Sequence, residues 1–153
     1  QFGRFRSRLK RFRAQFVPAL PAVIDDVNIR DEWAKTRRGK KFLNHVDNQL
    51  DIITTGHLLK ALASSNCVFI DDTFRAAPHP YTQFITIHGL YNGFVVPVVF
   101  CLLTGKTAEQ YRQILQEVKH EILRLTGNVW SEYCIANTAT LQFNFKVSYK
   151  IAF

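Results

Sequence analysis

From Cys67 onward the apolar positions fall into runs of strand length, separated by turn residues. Cys67–Phe74 is apolar and β-branched up to an acidic pair, and Phe84–Leu90 alternates apolar with polar. Tyr91-Asn92-Gly93 follows, and Asn-Gly tolerates the positive φ of a tight hairpin turn. Phe94–Leu103 is apolar almost throughout, which predicts burial on both faces. Pro97 cannot donate to a ladder, so a bulge or an unpaired position is expected there. Thr107 then caps a helix, with Gln110 placed to complete a capping box. Tyr111, Ile114, Leu115, Val118, Ile122 and Leu125 make its apolar stripe, and Gly127 stands where it should end. Val129–Ala136 reads as a fourth strand, and the tail from Asn137 to Phe153 alternates as a strand with no assigned place.

Upstream, Phe2, Phe5, Leu9, Phe12 and Phe16 recur every three or four residues, so residues 1–16 read as a helix with one apolar face. Arg4, Arg6, Arg8, Lys10, Arg11 and Arg13 occupy most of the rest, and Pro18 and Pro21 end it. The plainer expectation packs the Phe stripe on the domain. The alternatives are a DNA-contacting arm, a membrane-surface helix or a calmodulin-type target. Residues 25–41 are polar, with a short helical piece near Asp31–Lys35, and end in Lys35, Arg37, Arg38, Lys40 and Lys41 around Gly39. Residues 42–66 are mixed, with a short helix around Leu58, Leu59 and Leu62 that ends near Ser64–Asn66.

This order makes an α/β chain: three antiparallel strands, a helix, then a fourth strand parallel to one already laid down, with a helical basic arm in front. Residues 1–66 read as arm and lead-in, 67–136 as the core and 137–153 as a divergent tail.

Charge sharpens this division. Residues 1–41 carry 12 Lys and Arg against 4 Asp and Glu, while the remainder carries 8 of each, so the whole net charge of +8 sits in the first quarter. A basic arm on a neutral body suits a polyanion such as nucleic acid. Arg4, Arg6, Arg8, Lys10, Arg11, Arg13, Arg37, Arg38, Lys40 and Lys41 are the candidate contacts. Cys67, Cys101 and Cys134 lie apart in apolar runs without metal-ligand spacing, and read as buried free thiols in a reducing compartment. The longest apolar run is too short for a bilayer and the N-terminus is too basic for a secretory signal, so an intracellular place, nuclear or cytoplasmic, is expected without a membrane partner. The chain begins with Gln and has no Met, so it reads as a piece of a longer chain.

The candidate chemistry centres on Asp71 and Asp72, two acids in an otherwise apolar strand. Neighbouring strand residues point to opposite faces, so the pair cannot easily share one ion. The plainer reading is a strand end where both acids reach water. His79 and His88 lack metal-ligand spacing, and read as a loop residue and a satisfied strand histidine. Lys106 and Arg75 read as surface charge. Gly105-Lys106-Thr107 lacks the glycine spacing of a nucleotide-binding loop, so no small-molecule or cofactor site is expected there.

Phe69-Ile70-Asp71-Asp72-Thr73-Phe74 resembles the F-I-D-G-T-F signature of Mutator-like (MULE) DNA transposases. Pro80-Tyr81-Thr82-Gln83-Phe84, Thr86-Ile87-His88-Gly89, Asn92-Gly93, Val96-Pro97-Val98-Val99, Leu102-Leu103-Thr104-Gly105-Lys106-Thr107 and Tyr111 follow in the order of that family. Asp26-Val27-Asn28-Ile29-Arg30 with Glu32-Trp33 resembles the lead-in of its animal members, so the likeness covers roughly residues 1–136. It implies a ribonuclease-H-like fold, here partial, and DNA strand cleavage and transfer with Mg²⁺. Such a centre clamps two ions about 4 Å apart between about three carboxylates. The resemblance makes Asp71 the first catalytic acid and metal ligand. Asp72 stands where the family has Gly and is a second candidate ligand. Asn137 stands where the second Asp belongs, and offers one neutral oxygen in its place. The third acid has no counterpart, so an inactive enzyme is expected. The alternative is a non-catalytic nucleic-acid-binding module that uses the basic arm, and a third reading is a relic without selected function.

Overall fold

A computed structural model describes residues 6–9, 11–12, 15, 21–29, 34–73, 76–130 and 135–137, the last three as backbone only. Its frame is one six-stranded sheet. In chain order the elements are β1 (Leu43–Val46), β2 (Leu50–Ile53), α1 (Gly56–Ala63), β3 (Val68–Thr73), β4 (Gln83–Tyr91), β5 (Phe94–Leu103), α2 (Ala108–Thr126) and β6 (Ile135–Asn137). Their spatial order is β1-β2-β5-β4-β3-β6. The first five strands across the sheet are antiparallel neighbours, and β6 runs parallel to β3.

The α/β class holds, but the expected three antiparallel strands were an undercount. Residues 43–53, read as part of a helical lead-in, form a hairpin that extends the sheet beyond β5. Its turn carries no Asn-Gly signal. Instead the Asp47 side chain closes it, with Oδ1 accepting from the backbone N–H groups of Gln49 and Leu50 at 2.7 Å each. Asp51 interrupts the apolar run of β2, which hides its period.

Helices α1 and α2 cover one face. Leu50, Ile52, Val68, Ile85, Ile87, Val99, Cys101 and Leu103 meet Leu59, Leu62, Ile114, Val118 and Ile122 there in a single core. The local signals placed these elements well. Thr107 Oγ1 accepts from Gln110 N, with the reciprocal bond present, and Gly127 ends α2 in the left-handed region at φ 73°. Thr55 caps α1, three residues ahead of the first leucine of its stripe. Asn92 (φ 50°) and Gly93 (φ 81°) make the β4–β5 turn. The bulge falls beside Pro97: Ile87 faces Val99 and His88 faces Pro97, so Val98 is the extra residue.

Four expectations need correction or limit. The first half of β5 is not buried on both faces: Phe94 is 73% exposed and Val95 51%. They lie on the hairpin tip beyond the reach of α1 and α2. The apolar stripe of residues 1–16 does not pack on the domain where it is described, because Leu9 and Phe12 are exposed. Only Cys101 is a fully buried thiol, raised by that burial, while Cys67 is half-buried at the start of β3 and Cys134 lies outside the described residues. Most of the Asp31–Lys35 helical piece, residues 131–134 of the fourth strand and the tail from 138 also lie outside them. Among the described residues no helix is long and apolar enough to cross a membrane.

Candidate functional site

The two acids of β3 part company. Strand alternation sends Val68, Ile70 and Asp72 toward the helices, and Phe69, Asp71 and Thr73 to the opposite face. On the helix side Asp72 Oδ2 accepts from Gln83 Nε2 at 3.1 Å and from the Tyr111 hydroxyl at 3.4 Å, with Lys106 Nζ at 3.6 Å. Gln83 Nε2 also donates to the Tyr111 oxygen at 2.6 Å. Burial pushes the Tyr111 hydroxyl above its ordinary value, against the Gln83 amide and together with the charge and hydrogen bond of Asp72. Asp72 thus ties β3 and β4 to α2, a role its sequence context did not announce.

Asp71 is half-buried and faces Thr86 across the β3–β4 ladder. Asn137 is the ladder partner of Ile70, one step short of the position beside Asp71. Asp72 is engaged on the other face, so the two neighbouring acids do not converge. Among the described residues no three His, Cys, Asp or Glu side chains gather in a way that could hold a metal. A pair of dications needs several carboxylate oxygens, so the described donor set does not fit it.

Two polar constellations escaped the sequence reading. Tyr81 and Asp51 are both buried, and the Tyr81 hydroxyl donates to Asp51 Oδ2. Burial raises the Asp51 carboxyl above its ordinary value despite that bond, and it raises the Tyr81 hydroxyl too. At the hairpin turn, His45 Nε2 lies 2.9 Å from Asp47 Oδ2, and its Nδ1 lies 3.8 Å from Glu117 on α2. Gln113 Nε2 donates to the same Asp47 oxygen at 2.9 Å. Burial opposes ionisation of Asp47, but the hydrogen bonds from His45, Gln49, Gln113 and Leu50 outweigh it and hold the carboxyl below its ordinary value. An acid inside the apolar run Leu50-Asp51-Ile52-Ile53 was the one available signal, of the same kind that drew attention to Asp71. His79 is exposed, as a loop residue should be. His88 is not the satisfied strand histidine expected, for its buried Nδ1 has no hydrogen-bond partner among the described residues.

The basic residues divide as well. Arg6, Arg8 and Arg11 are exposed, and Arg4, Lys10, Arg13 and Arg75 lie outside the described residues. Residues 34–42 form a small closed hairpin. Phe42 N donates to Ala34 O, Thr36 N to Lys40 O and Gly39 N to Thr36 O, each at 2.8 Å, and Lys35 bridges Lys41. Gly39 sits at φ 71°, where only glycine is free of strain, and the Thr36 hydroxyl accepts from Lys40 N at 3.1 Å. Lys35, Arg37, Arg38, Lys40 and Lys41 are all exposed on it.

No family model, no curated protein and no solved structure matches the chain.

Proposed function

We propose that the chain is a Mutator-like transposase polypeptide with duplex DNA as its partner, and that its residues as described form an incomplete catalytic centre. One observation carries the reading. Asp71 lies on β3, flanked by antiparallel β4 on one side and parallel β6 on the other, in the spatial order β5-β4-β3-β6. From β3 onward the chain runs strand, strand, strand, helix, strand, the opening order of a ribonuclease-H-like fold, with the β1–β2 hairpin and α1 placed ahead of it. Phe69–Thr73 of the F-I-D-D-T-F motif lie on β3 and the L-L-T-G-K-T motif lies at the β5–α2 junction, which supports the resemblance. Fold order alone supports many functions, so the motifs supply the class and the fold supplies consistency.

In this reading Asp71 is the strand acid of a phosphoryl-transfer site. Asp72 is withdrawn to the helix side, and DNA is gripped by basic residues outside the core. The observed hairpin of cations also favours the second reading, a nucleic-acid-binding module without catalysis. Two assays test the proposal. Supercoiled plasmid incubated with the chain and Mg²⁺ or Mn²⁺ should stay intact, and duplex DNA should be bound with steep salt dependence. Nicking that disappears in Asp71→Ala would overturn the incomplete centre and leave the class standing. Failure to bind duplex DNA at low salt would overturn the class.

A further inference from the structure

We infer that the closed hairpin of residues 34–42, rather than the N-terminal helix, is the element that grips the DNA backbone. The inference rests on the DNA-binding reading above. Lys35, Arg37, Arg38, Lys40 and Lys41 put five cations into seven residues with no acid between them. None of the five is in an ion pair among the described residues, and all are exposed. Lys106, by contrast, already faces Asp72, and Arg112 and Arg124 face Glu109 and Glu121 on their own helix.

The turn is pre-organised. Backbone hydrogen bonds, the Thr36 hydroxyl and the left-handed Gly39 fix the path that carries Arg37 and Arg38 to the tip. A fixed loop loses less freedom on docking than a flexible arm. Its two-stranded form is also one that the major groove, about 12 Å wide, admits, so the tip arginines can enter while the lysines of the stem face phosphates.

The hairpin is anchored at a telling place. Phe42 O accepts from Thr54 N at 2.8 Å, which ties the stem to the end of β2. Leu43 pairs with Ile53, Ile53 with Phe100, Phe100 with Thr86 and Thr86 with Asp71. Asp71 and the root of the hairpin thus lie at the two ends of one row of ladder partners across the sheet. Four strand spacings make that row about 19 Å long. At 3.4 Å per base step, this is the length of roughly six base pairs. A duplex gripped by the hairpin and laid along the row reaches Asp71.

The test uses the full chain, a short fluorescent duplex and a salt series, with thermal unfolding to verify folding. The first variant combines Arg37→Gln, Arg38→Gln and Lys40→Gln; the second combines Arg6→Gln, Arg8→Gln and Arg11→Gln. We expect the first to weaken binding at low salt by at least about tenfold and to flatten the salt slope by about three, at unchanged melting temperature, and the second to lose far less. If the wild-type chain binds duplex and the first variant binds equally well, or the second carries the loss, the hairpin assignment falls while the DNA reading stands. Tighter binding to the single strand than to the duplex also overturns it. Absence of wild-type binding removes both.

Discussion

Tyr81 donates its phenolic hydrogen to Asp51, joining the segment before β4 to the middle of β2 on the side of the sheet away from the helices. Asp51 is 1% exposed, and its other oxygen, Oδ1, has no hydrogen-bond partner among the described residues. Tyr81→Phe removes the carboxyl's hydrogen-bond donor among the described residues and should lower stability by about 1–3 kcal/mol in urea denaturation. The pH dependence has a definite sign. The folded carboxyl titrates above its ordinary value, chiefly through burial, so its contribution is complete below the unfolded value and is lost as pH rises through the folded one. The wild-type chain should therefore lose stability over that rise and Asp51→Asn should not. Parallel stability curves for the two proteins would remove the buried carboxylate from the account.

Asp47 should behave in the opposite sense. Its carboxyl is held below its ordinary value by His45, the Gln49 and Leu50 amides and Gln113, against burial. The stability it gives is present above the unfolded value and is lost as pH falls through the folded one. Asp47→Ala also strips the β1–β2 turn of its two closing bonds. We expect a loss of about 1–2 kcal/mol, and earlier hydrogen exchange in Leu50–Ile53 than in β3. Equal exchange in the two strands would mean the turn does not depend on this side chain.

Gly89 is needed for space rather than for φ. A Cβ there would meet Ser65 Cβ and Oγ at 3.3 Å and Leu62 Cδ1 at 3.4 Å. Ser65 cannot turn aside without loss, because its hydroxyl donates to Cys67 O at 2.6 Å and accepts from Leu90 N at 2.7 Å. Gly89→Ala should cost about 1–3 kcal/mol. Gly56→Ala is the control: its Cβ would make ordinary contact with Leu125 at 3.5 Å, at the start of α1. That change should be neutral or stabilising by up to about 1 kcal/mol. Comparable melting temperatures for the two variants would show that Ser65 yields.

The contrast between these sites marks what the sequence could and could not disclose. Elements announced by local chemistry were legible: Thr107 with Gln110 and Gly127 bounded α2, and Asn92-Gly93 fixed a turn. Pro97 marked a bulge. The β1–β2 hairpin was not legible, because its turn is closed by a side chain and Asp51 breaks its apolar run. That run pairs with β5, some fifty residues away in sequence. At the candidate site, alternation correctly put Asp71 and Asp72 on different faces. The partners of Asp72 were hidden, since Gln83 and Tyr111 reach it from β4 and α2 and share no spacing with it.

The same separation of acids decides what metal ions should do. A ligand that binds only the native state raises its stability with the logarithm of its concentration relative to Kd, by about 2.7 kcal/mol at a hundred times Kd. Asp71 offers one carboxylate, Asp72 is spent on Gln83, Tyr111 and Lys106, and among the described residues no cluster of three metal-ligating side chains forms. Millimolar Mg²⁺ or Mn²⁺ should therefore leave the melting temperature where EDTA leaves it. Asp72→Ala should lower that temperature in either buffer, by the equivalent of about 1–2 kcal/mol, since it removes hydrogen bonds rather than a metal ligand. A metal-dependent rise abolished by Asp71→Ala but not by Asp72→Ala would mean that donors from elsewhere in the chain converge on β3, and that the centre is more complete than the described residues make it.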